Sequence, residues 1–213
     1  MKNITVIASC IILLSVSHLF AQAFKNPPEG AAALSQSGAF IAQSDDSSAI
    51  THNPAGLVQI EGQQFILGSA FLYPVTEVKT TTYKGHSEET IAYLPYMFFS
   101  TDTGKGSPLY LGIGITFPYG QSTEWSKTAV RNWGYTVPYY SAMQTMNISP
   151  VVAYRITPSL SAGAGINIYK QQIKYEISCP GPVSPLESTG KLDVDGTTTG
   201  WTAGFLYRQE STV

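Results

Sequence analysis

The property that most restricts this chain is an alternation of apolar residues with small or polar ones, sustained over four long runs. Leu109, Leu111, Ile113, Ile115 and Phe117 alternate with Tyr110, Gly112, Gly114 and Thr116. Met146, Ile148, Val152, Tyr154 and Ile156 alternate with Thr145, Asn147, Ser149, Ala153 and Arg155. Leu160, Ala162, Ala164, Ile166 and Ile168 alternate with Ser161, Gly163, Gly165 and Asn167. Finally, Trp201, Ala203, Phe205 and Tyr207 alternate with Thr202, Gly204 and Arg208. A period of two is the signature of a strand whose two faces meet different surroundings. Runs 64–73 and 90–100 are apolar on both faces, which makes six strand candidates. Beyond the N-terminus no window holds about 18 consecutive apolar residues, so no membrane helix is expected there.

Alternation alone allows two architectures. In a soluble sandwich the apolar face turns inward to a core. In an outer-membrane barrel it turns outward to lipid, and the small or polar face lines the lumen. The barrel is favoured because the polar faces carry Gly, Ser, Thr and Asn rather than Lys and Glu. Aromatics gather near strand ends, where interfacial girdles form, and a strand from Leu160 to Ser178 would span roughly 60 Å, too long for a small sandwich. The remaining composition agrees. Charged residues make up 12% of the chain and aromatics another 12%, which excludes a disordered tail. With 12 basic against 14 acidic side chains there is no basic excess for nucleic acid.

The run beginning at Leu160 changes phase. Up to Ile168 the even positions are apolar; beyond it Tyr169, Ile173, Tyr175 and Ile177 are apolar, and Lys170, Gln172 and Lys174 take the even positions. A bulge near Tyr169 would reconcile the halves by swapping faces, turning Lys170 and Lys174 to the lumen. Alternatively, this half protrudes above the membrane with both faces wet.

The chain opens with Met1-Lys2, an apolar stretch from Ile4 to Phe20, and Ala21-Gln22-Ala23. This pattern predicts a secretory signal peptide over residues 1–23, cut after Ala21 or Ala23. The lipoprotein-like Ile7-Ala8-Ser9-Cys10 follows too short an apolar stretch to compete. Removal of the signal leaves Cys179 as the one thiol, so no internal disulfide is expected. Residues 24–61 are rich in small side chains and predict short helices. Asp45-Asp46-Ser47-Ser48 suits a helix start, because carboxylates there accept free backbone N–H groups, and Pro54 and Gly56 are expected to stop that helix.

Specific residues now point to a family. The run Ser37-Gly38-Ala39-Phe40-Ile41-Ala42-Gln43-Ser44-Asp45-Asp46-Ser47-Ser48-Ala49-Ile50-Thr51-His52-Asn53-Pro54-Ala55-Gly56-Leu57 resembles the N-terminal hatch of the long-chain fatty acid outer-membrane transporters of the FadL/TodX (OMPP1) type. Gly112-Ile113-Gly114-Ile115-Thr116-Phe117-Pro118-Tyr119-Gly120-Gln121-Ser122-Thr123-Glu124-Trp125 is similar to the family's third strand and following loop. Matches from Met146 to Asn167, and from Gly200 to Tyr207, resemble later strands in the same order. The resemblance implies an all-β fold, a transmembrane antiparallel barrel of fourteen strands with an N-terminal helical hatch. Residues 62–213 would supply the first six strands. Since six strands cannot close the barrel, and the chain end at Val213 lacks a terminal aromatic, the sequence is expected to be the N-terminal half of a longer protein.

That resemblance also implies a function: passive uptake of long-chain fatty acids or other hydrophobic compounds, held in the lumen and released sideways into bilayer lipid. The site would be the outer membrane of a Gram-negative-type bacterium. Such a protein is expected to be assembled by the barrel-assembly machinery, to be a monomer when full length, and to bind no nucleic acid. The exit lies beside a kink in the third strand, where Pro118 and Gly120 fall. Pro removes a ladder donor and Gly permits a bend, so pairing should fail there; an ordinary strand end is the other reading. Asn53, Pro54 and Ala55 would face that kink as the gate. Lys170 and Lys174 become candidates for a fatty acid headgroup if the bulge is real, and Phe24 is a ligand contact by analogy. The competing class is a secreted or surface β-protein that binds a partner and transports nothing.

Catalysis finds no support. No G-x-S-x-G, Walker or H-E-x-x-H motif occurs, so no enzyme, cofactor or metal site is expected. His52 and His86 are read as structural or surface residues. Asp193-Val194-Asp195-Gly196 lacks the further ligands of a calcium loop and is read as a solvated turn.

Overall fold

In the computed structural model, residues 25–79, 84–127, 130, 138–179 and 188–208 are described. The signal segment, Cys10 and Phe24 lie outside the described residues. Among the described residues two short α-helices precede the strands, α1 (Ala31–Ser35) and α2 (Ala49–His52), followed by a 3₁₀ helix (Pro54–Gln59). Eight strands follow: β1 (Gln63–Leu72), β2 (Glu77–Lys79), β3 (Lys84–His86), β4 (Ala92–Asp102), β5 (Leu109–Glu124), β6 (Pro138–Thr157), β7 (Leu160–Cys179) and β8 (Ser188–Tyr207). The long ones form one antiparallel six-stranded sheet in the order β1-β4-β5-β6-β7-β8, an open arc of barrel wall. β2 and β3 pair with each other in a separate two-stranded sheet that has no alternating run behind it.

Connections at one end are short, as between Thr157 and Leu160. At the other end the segments between β1 and β4, β5 and β6, and β7 and β8 are long. This asymmetry is the outer-membrane pattern of short periplasmic turns and longer extracellular connections.

The helical segment packs against the inner face near the short-turn end. Ile50 and Leu57 are fully buried there with Phe98, Val151 and Ala153. Burial therefore identifies the inner face, and register carries the assignment along the sheet. Val151 pairs with Gly165 and Ala153 with Gly163, so odd residues of β6 and β7 point inward. The opposite face carries Leu111, Ile113, Val152, Tyr154, Ile156, Ile166, Trp201 and Phe205, all exposed. The greasy stripes of the sequence thus face away from the core, as a lipid-facing surface requires.

Three expectations fail at the level of local geometry. The first is the bulge near Tyr169. β7 pairs with β8 in one unbroken register from Leu160↔Tyr207 to Cys179↔Ser188, and with β6 from Ser161 to Glu176 without a shift. Lys170 and Lys174 consequently lie on the outer face with Ile166 and Ile168, not toward the lumen. Lys174 sits 4.0 Å from Asp193 of β8. What changes at Tyr169 is the surroundings: below it the outer face is apolar, above it the inner face is. Secondly, Asp193 and Asp195 lie within β8 rather than in a turn, and Asp193 accepts a hydrogen bond from Gln172. Thirdly, α2 does end at His52, with Asn53 extended just ahead of Pro54 as expected, but Gly56 lies inside the 3₁₀ helix that follows. Pro suits a first helical position because no N–H is needed there. Asp46 does serve the start of α2, accepting from the backbone N–H of Ser48 at 2.8 Å.

Candidate functional site

Two strands build the first part of the site. β5 pairs with β4 only from Tyr110 to Ile115. β4 residues before Met97 remain paired with β1 but have no β5 partner. On its other edge β5 follows β6 to Thr116↔Asn147, then resumes one residue out of step at Tyr119↔Thr145. Phe117 and Pro118 are the bulged pair. Pairing was expected to fail at Pro118 and Gly120, and at Pro118 it does: this residue has no partner in β4 or β6, and the register on the β6 side shifts across it. Gly120 lies past the bulge, in regular pairing with Gln144.

The N-terminal segment fills the edge that β4 vacates. Lys25 forms an antiparallel bridge with Tyr119. Asn26 donates its backbone N–H to the Pro118 carbonyl at 2.9 Å and its side-chain amide to the Phe117 carbonyl at 2.8 Å. In a membrane wall an unpaired carbonyl is costly, and Asn26, only 6% exposed, meets both carbonyls of the bulge.

Asn53, Pro54 and Ala55 sit elsewhere. The Asn53 amide donates to the Phe205 carbonyl at 3.2 Å, and Ser161 Oγ donates to the Ala55 carbonyl at 2.9 Å. A Cβ at Gly163 would stand 2.5 Å from the Ala55 nitrogen, and one at Gly204 would stand 2.2 Å from Asn53 Oδ1. This motif is therefore pressed into glycine sockets of β7 and β8 near the short-turn end; its contacts are not with Pro118. Its neighbour His52 hydrogen-bonds the Glu29 carbonyl and packs edge-on against Phe40, a structural histidine.

Polar contacts complete the seating. Ser47 Oγ bonds Ser100 Oγ and Gln64 Oε1, each at 2.7 Å. Arg155, an inward-facing cation at the short-turn end, reaches the Val58 carbonyl and bonds Tyr110 Oη at 2.7 Å while lying over its ring.

The second part is the inner face above the bulge. Continuity of register brings Tyr169, Ile173, Tyr175 and Ile177 of β7 onto one face with Leu192 and Val194 of β8. Leu192 and Val194 are 52% and 46% exposed, an apolar wall looking into the enclosed side. On the outer face at the same height are Lys170, Gln172, Lys174, Asp193 and Asp195. At its top, Tyr139 and Lys191 both donate hydrogen bonds to Glu176. Chiefly the Lys191 contact, and then that of Tyr139, lowers the Glu176 carboxyl below its ordinary range.

Asn26, Glu29 and Arg155 carried no motif. Arg155 alone gave a signal, as a charge on an otherwise small and uncharged inner run. Among the described residues no group of three or more His, Cys, Asp or Glu side chains could hold a metal ion.

Comparison with known proteins gives these elements a context. The family described as "Outer membrane protein transport protein (OMPP1/FadL/TodX)" matches residues 18–212. The long-chain fatty acid transport protein of Escherichia coli (strain K12) is 28% identical over 137 residues, which is 62% of this chain and 30% of that protein. The protein of the same description from Shigella flexneri matches equally. Among solved structures, that of a Pseudomonas aeruginosa FadL homologue superposes with a TM-score of 0.66 at 17% identity, covering 88% of this chain and 50% of that one. The TodX deltaS2S3 mutant monoaromatic hydrocarbon channel gives 0.50 at 20% identity over 62% and 33%. The chain thus spans 30% of the length of the curated relatives it matches.

Proposed function

The chain belongs to the OMPP1/FadL/TodX family of outer membrane transport proteins, and from that premise we propose that it moves hydrophobic compounds, long-chain fatty acids among them, from its lumen sideways into the bilayer without an energy source. The family's proteins are outer-membrane β-barrels, and its relatives are transporters. In this reading residues 1–23 are the export signal, 24–61 the hatch and 62–213 barrel wall.

One observation carries the lateral route: β5 loses its β4 partner at Ile115 and changes register at Phe117 and Pro118, within reach of the lumen. The bulge is level with the upper limit of the apolar outer band, since Thr116 pairs with Asn147 and Asn147 with Tyr169. A break in the wall at that height opens from the enclosed side onto lipid. Chemistry supports the same route. Each CH₂ of a chain gains about 0.8 kcal/mol on leaving water, so a molecule held on the wall of Ile173, Tyr175, Ile177, Leu192 and Val194 leaves readily only into another apolar phase. Asn26 is the latch of this portal, and Asn53, Pro54 and Ala55 seat the hatch that positions it.

Deleting Pro118 removes the extra residue and lets β5 run in one register against β6. Uptake of oleate or an aromatic hydrocarbon by cells relying on this protein is expected to fall at least tenfold, with heat-modifiable migration of the barrel retained. Unchanged uptake by a folded deletion variant would reject the lateral portal.

A further inference from the structure

β4 carries a proline where strands rarely tolerate one. Pro95 lies within a strand that has β1 on one side and β5 on the other. Proline in sheets is otherwise confined to edges, first residues and bulges, because it has no N–H to give a neighbour. The direction of the missing donor explains the exception. Backbone groups of successive strand residues point alternately to the two neighbours. Asp102 donates its N–H to the Gly62 carbonyl just ahead of β1 at 3.0 Å, and Thr103 donates to the Leu109 carbonyl of β5 at 3.2 Å. Even residues of β4 therefore serve β1 and odd residues serve β5, in a β1–β4 register unbroken from Gln63↔Thr101 to Leu72↔Ala92. Pro95 is odd, so the edge it leaves without a donor is the one turned to β5.

The opposite rim has the same deficiency. The β4–β5 ladder ends at Met97↔Ile115, and the next step of β5 is the bulge at Phe117 and Pro118. Neither residue has a partner in β6, and both carbonyls accept from Asn26 on the other edge. Pro118 thus turns its donorless nitrogen to the gap as well. The next residue of β4 facing that gap is Pro95, so the two prolines meet at the first rung above the last one formed. Further up, the chain ahead of β4 returns to β5: Glu88 donates its backbone N–H to the Glu124 carbonyl at 2.7 Å. The gap is therefore a window tied at both ends, with rims of equal length from Met97 back to Glu88 and from Ile115 on to Glu124.

We infer that Pro95 and Pro118 hold this window open from its two rims, each withholding the donor at the rung where β4 and β5 would otherwise resume their ladder. The inference rests on the lateral route proposed above and makes Pro95 a positioning residue of the portal. Strand edges that lie side by side in a lipid wall pair unless something prevents it, because every unpaired N–H and C=O is costly there. On the β5 rim Asn26 meets that cost by bonding the Phe117 and Pro118 carbonyls. On the β4 rim Pro95 lowers it by having no N–H to leave unpaired. With donors at both positions the rung would form, and the sheet could zip on through Leu94 against Tyr119 and Tyr93 against Gly120. A sealed sheet has no sideways exit.

The test uses the full-length protein in outer membranes, carrying Cys179→Ser, Leu94→Cys and Tyr119→Cys. If the ladder resumes, these two positions form a non-hydrogen-bonded pair with Cα atoms about 4.5 Å apart, within disulfide reach. With the prolines in place, Lys25 bridges Tyr119 instead. Pro95→Thr and Pro118→Thr restore both donors with a residue that favours strands. After oxidation with copper phenanthroline, the doubly substituted protein is expected to cross-link in about a fivefold larger fraction of molecules than the form with both prolines, the scale of one added backbone hydrogen bond. Without the cysteines, Pro95→Thr alone should lower oleate uptake about fivefold and the double substitution more than that. Heat-modifiable migration checks that each barrel is folded, and Pro95→Thr alone carries both readings if the double variant does not insert. Equal cross-linking with and without the prolines overturns the inference. A fall in uptake with no added cross-link overturns it too, because the prolines would then act otherwise than by separating the rims. A proline-dependent cross-link in a native protein that takes up no hydrophobic compound rejects the lateral-route reading and leaves the window geometry standing, a result distinct from either.

Discussion

Ala164→Arg is expected to destabilise the barrel by about 2–4 kcal/mol, the cost of a cation at the midplane of a lipid-facing strand. Gln172→Arg, on the same face of the same strand, is expected to change stability by less than about 0.5 kcal/mol, as at an ordinary solvated site. Ala164 pairs with Val152 and Ala203, in the middle of an outer stripe that runs from Leu160 to Ile168. That stripe is about 27 Å long along the strand, or about 20 Å in height at a tilt of roughly 40°. Gln172 lies above it among Lys170, Lys174 and Asp195. Denaturant unfolding of the two variants in phospholipid vesicles measures the difference. Equal destabilisation would place Gln172 in lipid and remove the boundary at Ile168.

Gly163→Val should unseat the hatch. A Cβ there would approach the Ala55 nitrogen and the Pro54 carbonyl carbon, both at 2.5 Å. These are backbone atoms of a 3₁₀ helix and cannot swing aside as a side-chain tip can. The expected cost to hatch docking is at the upper end of the roughly 1–3 kcal/mol typical of overpacking, or above it. The strand itself should tolerate the change, because Val is a favoured strand residue. Gly196→Val is the matched control: Gly196 lies within the neighbouring strand β8, and a Cβ there meets nothing within 4 Å. Ion conductance through the protein in planar bilayers, together with entry of a large antibiotic into cells, reads hatch displacement. An increase with Gly163→Val and none with Gly196→Val is the expected result. No increase from either would mean that the hatch is not held by the close approach at β7.

The architecture was readable from the chain because a barrel wall meets two media, and that difference is written at alternate residues. Ile113 and Ile166 on one side, Gly114 and Gly165 on the other, gave the strands and their faces. The small residues of the inner side have a specific cause: hatch backbone lies against Gly163, and the Asn53 and Pro54 side chains lie against Gly204. The misreading of Lys170 and Lys174 has an equally specific one. A phase change looks the same in sequence whether the backbone bulges or the surroundings change, and only the unbroken pairing of β7 with both neighbours separates the two. The true bulge, at Phe117 and Pro118, leaves no phase break to notice because small and polar residues follow it. Asn26 was invisible for another reason: its partner is 91 residues away at Phe117, a distance that no local pattern encodes.

The central claim is that the outer face of β7 passes from bilayer to water between Ile168 and Lys170 without changing register. Single cysteines placed at Ala164, Ile166, Ile168, Lys170, Gln172 and Lys174, in a protein whose Cys179 is replaced by Ser, can be reacted with a membrane-impermeant maleimide on intact cells. The first three are expected to be protected and the last three labelled. Labelling of Ile166 as readily as Lys174, or protection of Lys170, Gln172 and Lys174 together, would contradict the account.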